Sequence, residues 1–169
     1  MTVIIRPAHD GDAPVIGEMT ERAYRVDSHL NGVDGAAHAV DLRDAASRVR
    51  VARVLVAVLD GAIVGSVTLA PFGSPYAEKA LSGEMELRML AVAPEARRRG
   101  IAKQLMTAAM EDAGQAGASR VVLSTEVSMT GAHRLYRRLG FTRQPERDWS
   151  PGAVRLLAYG RDLAPDQDP

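Results

Sequence analysis

The sequence contains no cysteine. That excludes disulfides, thiolate metal sites and a cysteine nucleophile together, and it fits a reducing, cytoplasmic setting. Long apolar runs are also missing. The longest, Val54 to Leu59, falls far short of the ~20 residues a membrane helix needs, so no membrane partner is expected. The opening residues, Met1-Thr2-Val3-Ile4-Ile5-Arg6, read as a strand and carry no signal-peptide pattern. No sign of charge is in excess, because 21 basic and 21 acidic residues cancel. A neutral chain has no global pull towards nucleic acid or anionic lipid. Any anion it binds must be held by a local site. Aromatics are scarce, with four tyrosines, two phenylalanines and one tryptophan. That argues against base stacking, and so against a nucleic-acid partner. What remains is ordinary: 169 residues, 46% hydrophobic and 25% charged, enough for one domain with a full core.

The pattern along the chain predicts an α/β fold. Val3 to Arg6 is a short strand stopped by Pro7. Asp10 and Asp12 are candidate N-caps for a helix through Val15, Ile16, Met19 and Ala23. A second helix is expected over residues 36–49. The apolar runs Val54 to Leu59 and Ala62 to Ala70 flank Asp60-Gly61, which favours a tight hairpin turn with positive φ at both positions. A loop over residues 71–83 leads to a strand over 84–93, ended by Pro94. A helix over 100–113 carries Ile101, Leu105, Met106, Ala109 and Met110 at helical spacing. Then come a strand over 120–125, a helix over 130–139 closed by Gly140, and a last strand over 154–159. The order β-α-α-β-β-β-α-β-α-β reads as one domain with a mixed sheet over residues 1–163, followed by a frayed polar tail over 164–169.

The sharpest local signal is Leu90-Ala91-Val92-Ala93-Pro94-Glu95-Ala96-Arg97-Arg98-Arg99-Gly100-Ile101-Ala102. A strand ends, a short loop turns, and a helix begins at a glycine. The first N–H groups of a helix have no partner within it, and the macrodipole makes that end positive. A phosphate can dock there on backbone donors. Gly100 lets the backbone approach, Ala102 keeps the next position small, and Arg97, Arg98 and Arg99 add charge. No Gly-x-x-x-x-Gly-Lys-Ser/Thr run exists in the chain, and no Gly-x-Gly-x-x-Gly turn follows the first strand. The bland alternative is a solvated basic turn.

Arg97-Arg98-Arg99-Gly100-Ile101-Ala102 resembles the Arg/Gln-x-x-Gly-x-Gly/Ala signature of the GNAT (Gcn5-related N-acetyltransferase) superfamily. Ala132-His133-Arg134-Leu135-Tyr136-Arg137-Arg138-Leu139-Gly140-Phe141 is similar to its second signature, a helix carrying Leu-Tyr and then Gly-Phe. Met129 stands where the family often has asparagine. The resemblance implies a mixed sheet with helices on both faces and an acetyl-CoA co-substrate. Its pyrophosphate would rest on Arg98 to Ala102, its pantetheine would run along Leu90, Ala91 and Val92, and Ala132 is a further candidate cofactor contact. It implies N-acetyl transfer to an amine, small-molecule or protein. Tyr136 is then the candidate acid at the departing sulfur. Glu86, placed like the catalytic glutamate of histone-acetylating members, is the candidate base, with Glu84 as fallback. Each has a structural alternative: Tyr136 as a packing residue, Glu86 as an exposed partner of Arg88. A non-catalytic acyl-CoA-binding module is the competing function. Tyr24, Asp34 and Tyr76 fall in segments that shape acceptor sites in the family, and Trp149 is either channel or core. His133 reads as surface. His9, His29 and His38 show no metal-ligand spacing, so no metal is expected. A homodimer is left open.

Overall fold

A computed structural model describes residues 2–164. Beyond residue 164 the polar tail lies outside the described residues. The described chain forms a mixed seven-stranded sheet with five α-helices, the fold class anticipated above. The strands are β1 (Val3–Pro7), β2 (Arg53–Leu59), β3 (Ala62–Pro71), β4 (Glu84–Val92), β5 (Arg120–Glu126), β6 (Thr142–Arg143) and β7 (Leu156–Asp162). Their order across the sheet is β1-β2-β3-β4-β5-β7-β6. The helices are α1 (Ala13–Val26), α2 (Gly35–Arg43), α3 (Ala45–Val51), α4 (Ile101–Gln115) and α5 (Thr130–Arg138). Contacts divide the chain into two compact units. One comprises residues up to Thr68 plus Met89–Ala108; the other comprises Leu69–Arg88 and the chain from Ala109 onward.

In the first unit β1 pairs antiparallel with β2, from Val3↔Leu59 to Pro7↔Leu55. The hairpin at Asp60-Gly61 has φ of 50° and 81°, the doubly positive geometry the dipeptide favours. Ile16, Val56 and Ala45 are buried in one cluster beneath α1 and α3. Gly65 of β3 brings strand and helix together, since a Cβ there would stand 3.2 Å from the Ala91 carbonyl oxygen and 3.0 Å from Leu105 Cδ1. The single helix expected over residues 36–49 is two. Asp44 separates them, because its carboxylate accepts the Ser47 N–H at 3.1 Å and restarts the chain as α3. Asp12 does not cap α1. Its carboxylate accepts instead from Arg6 at 2.7 Å and from the His9 N–H at 2.8 Å.

In the second unit β4 runs parallel to β5, registered from Glu84↔Arg120 to Leu87↔Leu123. β4 continues to Val92 and β5 to Glu126. β7 runs antiparallel to β5 along its whole length and carries the short β6 on its other side. The last strand begins at Leu156, two residues later than the sequence pattern suggests, and β6 has no counterpart in that pattern. Two residues are too few for a periodic signal.

Candidate functional site

The phosphate turn belongs wholly to the first unit. After β4 the chain makes one 3-10 turn over Pro94–Ala96, and Arg97 is extended with φ −67° and ψ 163°. Arg98 and Gly100 then take left-handed backbone, with φ of 63° and 74°. Such residues let successive N–H groups converge on a concave face, which suits an anion. The Gly100 carbonyl accepts the Gln104 N–H at 3.1 Å and opens α4. Ile101 is buried and anchors the first turn, Ala102 is half-buried, and Arg98, Arg99 and Gly100 are exposed. The donor set and the open face fit a phosphate-bearing ligand. Arg97 is engaged within the fold. Its guanidinium donates to Asp27 Oδ1 at 2.7 Å and to the carbonyls of Ala23 and Val92 at 3.3 Å each. It ties the end of α1 to the end of β4.

Leu90 and Val92 are half-buried on β4, and Ala91 is buried between them. Just before them Met89 has a φ of 54°. Left-handed backbone is uncommon for a side-chain-bearing residue inside a strand.

The second unit holds the ionisable candidates. Glu86 is 4% exposed. It does not pair with Arg88. Its Oε1 accepts the Lys79 N–H at 2.6 Å and its Oε2 accepts the Glu78 N–H at 2.9 Å. A carboxylate offers about two acceptor positions per oxygen, so each oxygen keeps one for another donor. Arg88 turns to the Tyr76 carbonyl at 3.2 Å and the Glu78 carboxylate at 3.2 Å. Glu84 receives the fork of Arg147, with both bonds at 2.9 Å, and the Leu81 N–H at 2.8 Å. Burial pushes the Glu84 carboxyl up, but the Arg147 and Leu81 hydrogen bonds and the charges of Arg147 and Arg120 outweigh it. The net shift is downward. That makes Glu84 a weak proton acceptor at neutral pH.

Tyr136 of α5 is 6% exposed. Its ring lies 6.0 Å from both Phe141 and Tyr159. Ala132 is half-buried one turn earlier. His133 is buried, not on the surface. Its Nε2 lies 2.9 Å from the Glu126 carbonyl, and burial holds the imidazole below its ordinary value. Met129 receives the Thr125 hydroxyl at its sulfur, 3.6 Å away.

Glu86 opens onto a recess whose polar lining also includes Lys79, Ser124, Gln144, Arg147 and Tyr159. The Lys79 ammonium lies 4.1 Å from the centre of the Trp149 ring. The Trp149 indole N–H donates to Ser124 Oγ at 3.0 Å. Gln144 Oε1 is buried with no hydrogen-bond partner among the described residues. The sequence pointed to Glu86 but not to Lys79, Gln144 or Arg147. Arg147 is 63 positions from Glu84, and no local spacing encodes such a pair. Among the described residues no group of three or more His, Cys, Asp or Glu side chains could hold a metal ion. No described helix is long and apolar enough to cross a membrane.

Residues 20–141 match the profile of the Acetyltransferase (GNAT) family. The chain belongs to that family. It is 33% identical over 86 residues to the rat protein N-acetyltransferase family 8 member 3, covering 51% of this chain and 36% of that one. The chain spans about a third of the length of the curated relatives it matches. Its fold is similar to that of PaiA N-acetyltransferase from Thermoplasma acidophilum, solved in complex with coenzyme A. The TM-score is 0.75 at 15% identity, over 94% of this chain and 98% of that one. It is likewise similar to Salmonella typhimurium yncA with acetyl-CoA, at TM-score 0.68 and 20% identity, over 100% of this chain and 98% of that one.

Proposed function

We propose that the chain is an acyl-CoA-dependent N-acetyltransferase that moves an acetyl group from acetyl-CoA directly to an amine, of a small molecule or a protein. The carrying observation is the turn from Arg98 to Ala102, with left-handed backbone at Arg98 and Gly100 directly ahead of α4. Family membership supplies the class of anion, an acyl-CoA. The pyrophosphate would take the N–H groups of Arg98 to Ala102, with Arg98 and Arg99 as exposed cations. Leu90 and Val92 would offer backbone groups to the pantetheine amides.

Acyl transfer needs a neutral amine, a donor for the developing oxyanion and a proton for the leaving thiolate. A lysine-type amine is neutral in only about one molecule in a thousand at pH 7. Glu86 is the base in this reading, through the acceptor position left on each oxygen. The Leu90 N–H, following the irregular backbone at Met89, is the oxyanion donor. Tyr136 is the acid, since a phenol keeps its proton at neutral pH.

The test has two arms. Acetyl-CoA should raise the melting temperature by mass action on the native state, and thiol release with a panel of amines should find an acceptor. Gly100→Asp should abolish the stabilisation, because it sets a carboxylate where phosphate must sit and puts a side chain on backbone at φ 74°. No stabilisation of the wild type at millimolar acetyl-CoA would sink the reading.

A further inference from the structure

Only two of the 21 basic residues are lysines, Lys79 and Lys103, and the rest are arginines. The distinction is chemical. A guanidinium stays protonated and is no nucleophile at neutral pH, whereas a lysine amine attacks thioesters once it loses its proton. Lys103 is exposed on α4 and takes no part in the Glu86 recess. Lys79 lines that recess. It is exposed, yet it has a defined place. Its N–H donates to Glu86 Oε1 at 2.6 Å and its carbonyl accepts from Arg147 Nη2 at 2.7 Å. Both sides of the residue's backbone are therefore fixed. Its ammonium rests on the Trp149 face, and that ring is itself held by Ser124. The neighbouring cation Arg147 is matched by the two oxygens of Glu84. Lys79 thus lines the recess of the group assigned as base and bonds that group through its backbone, with its ammonium held on the Trp149 face.

We propose that Lys79 is itself an acetyl acceptor, modified by its own chain when no other amine competes. The inference rests on the acetyltransferase reading above. The Lys79 ammonium gives one proton to Glu86 and the neutral Nζ attacks the thioester carbonyl. The N–C bond forms and the C–S bond breaks. The second amine proton is lost, and CoA leaves as the thiol. The products are acetyl-lysine, free CoA thiol and one proton released to solvent. The product carries no charge, so the hold on the Trp149 face is given up.

The experiment incubates the full chain with acetyl-CoA and no added amine, at several chain concentrations. Peptide mass spectrometry locates the acetyl group, and a thiol assay counts released CoA. One acetyl per chain should appear on Lys79, with one thiol released. The rate should lead that at Lys103 by about a hundredfold, the lower range of base catalysis. The rate per chain should not depend on chain concentration. Lys79→Arg keeps a cation for Trp149 and should abolish the modification. In the urea-unfolded chain both lysines should react equally slowly. Equal rates in the folded chain would reduce the modification to surface chemistry and overturn the inference. A rate per chain that rises with concentration would overturn self-transfer. An unmodified Lys79 in a preparation that acetylates an added amine would overturn the inference and leave the acetyltransferase reading standing. Failure with every amine would overturn both.

Discussion

Tyr136 is packed between Phe141 and Tyr159, so its ring and its hydroxyl can be separated by experiment. Tyr136→Phe removes one oxygen and leaves the ring contacts with Phe141 and Tyr159, so the packing of the ring should survive. If the phenol protonates the departing thiolate, kcat should fall towards the low end of the usual 10²–10⁴-fold for general acid loss, about a hundredfold. The acetyl-CoA dissociation constant should hold. Equal kcat values for mutant and wild type would leave Tyr136 as a packing residue. Glu86→Gln is a harsher change, because the amide nitrogen cannot accept either N–H from the 78–79 turn. Some loss of acceptor affinity is therefore expected from loosening that turn. The base role is read separately from the pH–rate curve. The activity deficit should be largest at low pH, where neutral amine is scarcest, and should narrow as pH rises. A curve of unchanged shape would move the base role elsewhere. The sequence singles out both residues, Tyr136 within the second signature and Glu86 on the strand that leads into the phosphate loop. Their surroundings were not legible there: the burial of His133 and the occupied guanidinium of Arg97 depend on partners up to 74 positions away.

At the scale of elements, local chemistry made most of the fold readable. Asp60-Gly61 fixed its hairpin, and the β-branched and helical periods located β5 and α4 within a residue or two. The failures lie where a side chain has two uses. Asp44 both ends α2 and starts α3, which a periodicity argument reads as one helix. Gly17 is a related case. Glycine inside a helix is unfavourable by about 1 kcal/mol relative to alanine, so Gly17→Ala in α1 would ordinarily stabilise. Here a Cβ at Gly17 would lie 2.1 Å from the Arg43 carbonyl oxygen of α2. The helices would have to part, and such overpacking costs about 1–3 kcal/mol. Gly17→Ala should therefore lower the melting temperature, as read by circular dichroism. A rise would mean that α1 and α2 are not in this close contact.

For the molecule as a whole, the acid limb of stability has a readable origin. Asp12 in the first unit is drawn down to about 2 by its hydrogen bond to Arg6 and by the His9 N–H. Asp148 in the second is drawn down to about 2 by Arg143 and by the Ala158 N–H. Both folded values lie below the ordinary 3.8. A depressed folded pKa gives stability that is present above the unfolded value and is lost as pH falls through the folded one. The melting temperature should therefore hold near neutrality and decline between about pH 4 and pH 2. Asp148→Asn should cost stability at pH 7, and the gap to wild type should close as pH approaches 2. A constant gap across that range would mean that Asp148 acts by packing alone. The neutral balance of 21 basic and 21 acidic residues was plain from composition, but which carboxylates carry the acid response was not. That depends on which arginine each one meets after folding.

Trp149 is the sole indole of the chain, so its emission spectrum comes from one place. The ring carries the Lys79 ammonium on its face and is anchored through its N–H to Ser124. Its fluorescence is thus a built-in optical gauge of the charge beside it. Neutralising Lys79 should change the quantum yield in an unlabelled sample, and a fluorimeter could follow that chemistry in real time.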